Sequence, residues 1–356
     1  MRRLSIILIY PLIMCSTNCL QSTAQAIQSL ATVDTGIANV RAFTPLPEGF
    51  DPGKAPEDEL ARYGLSPKPD KEKSPDAFAV WEVLVDAARH RIIPQLKQTD
   101  VYHGIVKQLS VGKSTGAGPT PATSQNWSGF AVEDRANIFG VQGGVWGWFV
   151  VPKAMDCTVP DIFHSANWVG LDGFNSNDVL QTGTETDVDC VAGRALSYVW
   201  IEWFPNPSIA VSNLGATPGD LLFVMAQWSN NSTPPPELTI FNFSTKKSAH
   251  FTMTPPAGTQ PVGNSIEWIV ERPSINGALT KLTPFYENPW RMLGGNFKSN
   301  ATGGRLVYRP SAPATGGSYI LTMTNNTVPL STPALFSAPA EDSAWFHAEV
   351  THYPGQ

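Results

Sequence analysis

The chain has 356 residues and a formal net charge of −6; residues 1–115 hold 12 acidic and 13 basic side chains, leaving 18 acidic against 11 basic for the remainder. An acidic, Lys-poor second part that carries all but one of the 11 tryptophans has no basic patch, which excludes nucleic acid as a partner. The length exceeds one ordinary domain, so a processed leader or a second segment is expected.

At the N-terminus Arg2 and Arg3 precede an apolar run from Leu4 to Met14, and Ala24-Gln25-Ala26 has the small-x-small form of a cleavage site. The run is too short for a stable membrane span. Residues 1–26 read as a secretory signal, which places the mature protein outside the cell or in a periplasm, off the membrane. Removing them takes Cys15 and Cys19 and leaves Cys157 and Cys190, an isolated pair that in an exported protein implies one disulfide. Two cysteines cannot complete a zinc site, and the six histidines show no metal-ligand spacing, so no metal or cofactor is expected.

Residues 27–75 are rich in Pro, Asp, Lys and Glu, and 67–75 reads as a solvated linker, so little core is expected there. A helix is predicted over 75–93, with Ser74 as N-cap, Pro75 at the first position and Pro94 as the stop. Its apolar residues Phe78, Trp81, Val85, Ala88 and Ile92 form one face that must dock on something. Lys54, Arg62, Lys68, Lys71 and Lys73 oppose the acidic second part, so attraction at neutral pH, weakened by acid, is expected. Residues 108–124 read as a Gly/Ser/Thr/Pro linker.

Beyond it, short apolar and aromatic runs at 145–151, 197–204, 221–228, 238–243, 267–270, 319–324 and 344–351 are separated by Gly, Pro, Asn and Ser. That spacing predicts an all-β sandwich or barrel over 116–356. In the last run Phe346, Ala348 and Val350 face one way and His347 and Glu349 the other.

Two runs set polar groups among apolar ones: Val179-Leu180-Gln181-Thr182-Gly183 and Ile266-Glu267-Trp268-Ile269-Val270-Glu271. Desolvating an unpaired amide costs roughly 1–3 kcal/mol and a carboxylate more, so these groups either tie two strands together or do chemistry. Strand alternation puts 267, 269 and 271 on one face, so periodicity does not choose between the glutamates.

The company of these runs is informative. In order along the chain stand Gln125-Asn126-Trp127-Ser128-Gly129-Phe130, Trp168-Val169-Gly170-Leu171-Asp172-Gly173, the Leu-Gln-Thr-Gly segment, Trp200-Ile201-Glu202-Trp203-Phe204-Pro205, Pro218-Gly219-Asp220, and 264–271. This series resembles the glutamic peptidases, the eqolisins, across roughly 120–330, and Gly49-Phe50-Asp51-Pro52 with 59–65 resembles the upstream segment of bacterial homologues. The resemblance implies two antiparallel sheets face to face, a concanavalin-like or jelly-roll-like sandwich, with the site on the concave face of one. It also implies a propeptide-like leader over 27–115 and a catalytic domain over 116–356, a monomeric acid endopeptidase acting on proteins or peptides.

By motif, Glu271 is the general base and Gln181 positions the water and donates to the oxyanion, while Glu267 is structural. Trp127, Trp168 and Trp200 correspond to cleft walls, and Asp172 and Glu202 to acids that hold the glutamine and its water. Trp146, Trp148 and Trp203 are expected in the core or at an edge. Two departures stand out: Tyr198 replaces an expected acid, and Pro261-Val262-Gly263 stands where a cysteine is expected. Asp34-Thr35-Gly36 occurs once and has no second copy to make a carboxylate pair. His164, His250 and His347 read as structural. Two alternatives remain open: a glycoside hydrolase using Glu202 with Glu271 or Glu267, and a non-catalytic carbohydrate- or protein-binding module.

Overall fold

The computed structural model describes residues 29–115, 119–135, 143–228, 235–259, 261–285, 290–299, 305–308, 316–336 and 346–352. The signal-like residues 1–26 lie outside that set.

Strand pairing runs continuously through the molecule. From one edge the order is Leu96–Gln98, Ile209–Val211, Arg194–Phe204, Val179–Asp189, Ala166–Leu171, Ser265–Glu271, Trp127–Glu133 and Ser318–Asn325, all antiparallel. Val328–Phe336 and Phe346–His352 carry the pairing over to a second layer of Trp290–Ser299, Gly143–Val150, Leu221–Trp228, Glu237–Asn242 and Lys247–Met253. The apolar runs used to predict the sandwich fall on these strands to within a residue, except that 344 and 345 of the last run lie outside the described residues.

The side-chain alternation of the first layer sorts its residues onto two faces. Val169, Leu171, Leu180, Ile201, Trp203, Ile266, Trp268 and Val270 point inward against Phe149, Leu222, Val224, Leu238, Ile240 and Phe251 of the second layer, forming the main core. Their neighbours one residue along, Trp127, Ala166, Trp168, Trp200 and Ile269, form a separate cluster on the other face. A face that buries indoles away from the core is where the site lies. Trp146 and Trp203 are buried as expected, and Trp148 packs on Phe223 and Phe243.

The region before residue 115 departs from expectation. Val40, Ala42, Phe43, Leu60 and Leu65 are buried, so 27–75 does build core. The hairpin of Thr32–Asp34 and Val40–Phe43 adds its second strand to the free edge of Lys247–Met253. The helix is Pro75–Arg89, shorter at its end than predicted, and Ser74 makes no side-chain cap. The helix docks on the outside of the second layer by Val80, Val83, Leu84 and Ala87 against Trp146, Phe223, Met225 and Phe241, whereas of the predicted face Ala88 packs on Leu60 and Leu65 and Trp81 donates to the Ser66 carbonyl, both within the leader.

The basic residues do not make the attraction expected of them. Lys54 and Lys73 pair with Asp51 and Asp70 of the same region, and Lys68 and Lys71 lie over Phe78 and Trp81. The exposed ion pair that crosses to the sandwich has the opposite polarity, Lys246 to Asp86 at 3.6 Å. Backbone pairing and apolar contact hold this region, and both tolerate salt and pH better than exposed charge. The predicted linker at 108–124 also contains strands: Ser110–Val111 pairs with Thr120–Ser124, which runs parallel to Ser318–Asn325.

Cys157 and Cys190 form the expected disulfide, with Cα atoms 5.4 Å apart.

Candidate active site

Strand register builds the site as rows across the first layer. Glu202, Gln181, Gly170 and Glu267 lie in one row, and Tyr198, Glu185, Ala166, Glu271 and Trp127 in another four positions along. Between them runs Trp200, Gly183, Trp168 and Ile269. Two-residue alternation puts all these side chains on the face opposite the core, so four carboxyls and one amide share a single surface. Gly183 is required by its neighbours, since a Cβ there would stand 2.7 Å from Cβ of Trp168.

Across this surface lies the leader. Thr99 donates its N–H to Ser208, Ser208 donates back to Val101, and Val101–Tyr102 pairs with Ser274–Ile275 just past the Glu271 strand. Farther on, Val106 donates to the Gly173 carbonyl, Lys107 to Asn126 Oδ1 at 2.8 Å, and Gln125 to the Lys107 carbonyl. Between these anchors Gln181 Nε2 donates to the His103 carbonyl, and the Gly104 N–H donates to Glu271 Oε1 at 3.2 Å. The two side chains thus meet the two ends of one peptide group.

Glu271 is held from three directions. Asn126 Nδ2 donates to Oε1 at 2.9 Å and the Trp168 indole to Oε2 at 3.0 Å, alongside the Gly104 N–H. Burial pushes its carboxyl well above the ordinary range, and these donors, with the Lys107 charge, oppose the rise. Trp127 packs edge-on against Trp168 with ring centres 5.0 Å apart and donates its indole N–H to the Gly104 carbonyl at 3.1 Å.

The His103 imidazole fills a pocket of its own. One ring nitrogen is 2.7 Å from Glu202 Oε2, the other 2.7 Å from Glu185 Oε2, and the ring stacks on Trp200 at 3.7 Å. Burial raises the Glu202 carboxyl to about 7 against the pull of His103, and raises Glu185 well above its usual range with help from nearby Asp187. Glu202 therefore serves the leader side chain, where the motif implied support of the glutamine.

Asp172 also differs from its expected role. It sits at φ 72° and accepts from the N–H groups of Val262, Gly263 and Asn264 at 2.9–3.0 Å, anchoring the loop that feeds the Glu271 strand. Burial lifts it to about 6 despite those three donors. Its described bonds do not reach Gln181. Glu267 is fully buried and neither of its oxygens has a hydrogen-bond partner at this geometry among the described residues, whereas Glu271 accepts from three donors.

Sequence reasoning missed His103, Gly104, Glu185 and the role of Asn126. Asn126 stood inside a quoted motif, and Glu185 lies four residues past Gln181 on the same face, so alternation could have found it. Nothing local marks His103. His164, read as structural, is 2.7 Å from Asp187, and His250 is taken up below.

Within this β-sandwich the Gln181 amide and the Glu271 carboxyl close from either side on one peptide group of the leader. Residues 125–292 match the Peptidase A4 family, and that match supports a glutamic-type peptidase, a hydrolase. That answers the open choice against the glycosidase and the binding module. Among solved structures, scytalido-glutamic peptidase with a transition-state analog inhibitor is 16% identical, covering 64% of this chain and 98% of its own at a TM-score of 0.48. The eqolisin SCP-B in complex with the tripeptide Ala-Ile-His is 14% identical, with the same coverage and a TM-score of 0.43. Aspergilloglutamic peptidase from Aspergillus niger is 21% identical, covering 54% of this chain and 99% of its own at a TM-score of 0.40. No curated protein matched the sequence.

Proposed function

We propose that the chain is an exported acid endopeptidase in which Gln181 and Glu271 activate water against a peptide bond, made with residues 27–115 as a propeptide. The observation that carries the reading is the convergence of the Gln181 amide on the carbonyl and the Glu271 carboxyl on the N–H of a single peptide group. Ionised Glu271 takes a proton from water, and the resulting hydroxide adds to the carbonyl carbon. Gln181 Nε2 donates to the oxyanion without adding charge to a site already rich in carboxyls. Collapse breaks the C–N bond as Glu271 returns the proton to the departing nitrogen.

Acid operation fits this chemistry. The burial that raises Glu271 comes in part from residues 103–107 lying over it, and uncovering it admits water that stabilises the carboxylate. The donors from Asn126 and Trp168 remain to favour its ionised form. The Cys157–Cys190 disulfide and the N-terminal Arg2-Arg3 apolar segment support export.

The test is casein hydrolysis by purified, acid-treated protein. Gln181→Ala and Glu271→Gln are each expected to lower the rate on the order of a hundredfold or more with an unchanged β-type circular dichroism spectrum. Activity within a few-fold of wild type in either folded variant rejects the assignment.

A further inference from the structure

We propose that the His103–Gly104 peptide bond is the chain's own maturation bond, held in the cleft as its first substrate and cut there by Gln181 and Glu271. The inference rests on the dyad reading above and extends it to a specific bond and a specific recognition element.

Three observations select this bond. The His103 carbonyl and the Gly104 N–H meet the two dyad side chains, whereas the other described hydrogen bonds of 99–107 go to groups outside the dyad. The main chain is tied down on both sides, by Ser208 and Ser274–Ile275 before the bond and by Gly173 and Asn126 after it, which holds the bond in place against the two side chains. The residues flanking the bond are also fitted individually. His103 is fully buried between Glu185 and Glu202 against Trp200, a built pocket for an imidazole or another cationic side chain. Gly104 faces Phe204, whose ring would lie 3.3 Å from an added Cβ, so the position after the bond favours the smallest residue.

The cut consumes one solvent water. Its oxygen bonds to the His103 carbonyl carbon, one proton passes through Glu271 to the Gly104 nitrogen, and the C–N bond breaks, leaving a carboxylate at His103 and an amine at Gly104. In the closed chain Gln181 and Glu271 are sealed, at 0% and 1% exposure, so water must first be admitted. The imidazole is faced by Glu185 and Glu202, with Asp187, Tyr198, Asp100 and Glu271 beyond them. Acid loosens the leader at its far anchor instead, where His250, faced by Glu237, accepts from Arg91 only while neutral.

The experiment incubates the purified full-length chain over a pH series and reads new N-termini by mass spectrometry, with casein hydrolysis followed in the same samples. A new N-terminus at Gly104, appearing in acid at a rate that does not change on dilution, is expected, with the Glu271→Gln chain uncut. His103→Ala, which leaves the dyad intact, is expected to slow the cut roughly tenfold or more by losing two hydrogen-bonded contacts and the stack on Trp200. Casein hydrolysis by a chain that stays joined between 103 and 104, a first cut elsewhere, or equal cutting of Glu271→Gln each overturns the proposal and leaves the dyad reading standing or judged by its own variants. A wild-type chain that neither cuts itself nor hydrolyses casein overturns both.

Discussion

Two glutamates four residues apart on one strand face have opposite surroundings, and that difference makes them separable by experiment. Among the described residues neither Glu267 oxygen reaches a partner at hydrogen-bond geometry, and burial, opposed by nearby Ser265, pushes its carboxyl well above the ordinary range, a setting that an uncharged amide of the same shape suits. Glu267→Gln is expected to keep casein hydrolysis within a few-fold of wild type and to leave thermal stability nearly unchanged, while Glu271→Gln loses the activity. Trp168→Phe removes one donor from Glu271 and keeps an aromatic ring in place. A carboxylate deprived of a donor titrates higher, so the pH below which kcat/KM falls should move upward in this variant. A profile that keeps its acid limb unmoved would show that Trp168 does not act on the base.

At the scale of elements, the joint between the leader and the second layer has a titratable centre. Arg91, just past the helix Pro75–Arg89, is buried and donates to His250 Nδ1 at 2.8 Å and to the Tyr63 carbonyl at 2.7 Å, while the other His250 nitrogen lies 3.2 Å from Glu237. Accepting from Arg91 requires neutral His250, and burial, aided by Arg91, depresses its protonation against the opposing pull of Glu237. A base depressed in the folded state contributes stability above its ordinary range that is lost as pH falls through the depressed value. Protection of 75–93 from proteolysis should therefore fall below about pH 6, with the ordinary histidine range as the upper bound. His250→Phe, which cannot charge, should flatten that dependence. On the opposite layer, the disulfide spans 33 residues that include the Gln181 strand. Replacing Cys157 and Cys190 by Ser should cost roughly 2–4 kcal/mol of stability, measurable by denaturant unfolding.

These elements also mark what was legible in the sequence. Strands announce themselves by period, and the runs at 145–151, 221–228 and 267–270 needed only alternation and turn residues to be found. The dyad was legible because a polar group on an apolar strand is costly enough to be noticed. The leader's hairpin and its passage through the cleft were not, because Val40, Ala42 and Phe43 gain their burial from Lys247–Met253, some 200 residues away, and His103 gains its meaning from Glu185 and Glu202. Local composition around 27–75 and 108–124 is polar, and pairing to a distant edge overrides it.

At the scale of the whole molecule, burial has raised Asp172 to about 6, Glu202 to about 7, and Glu185, Glu267 and Glu271 well above their usual range. An acid raised in the folded state contributes stability that is fully present below its unfolded value and is lost as pH climbs through the folded one. Summed over five buried carboxyls and opposed by His250, this predicts a melting temperature that rises as the full-length chain is taken from pH 8 to pH 5, the reverse of ordinary acid denaturation. A monotonic fall over that interval would contradict it. The hairpin strand Val40–Phe43 carries a different consequence. It covers the edge of the second layer at Lys247–Met253, so stripping the leader away would bare a row of unpaired backbone groups beside Phe251 and Met253. A single cut near the cleft severs none of that pairing, and the severed N-terminal piece should persist as a non-covalent light chain, comigrating with the heavier one in native gel filtration and parting from it only in denaturant.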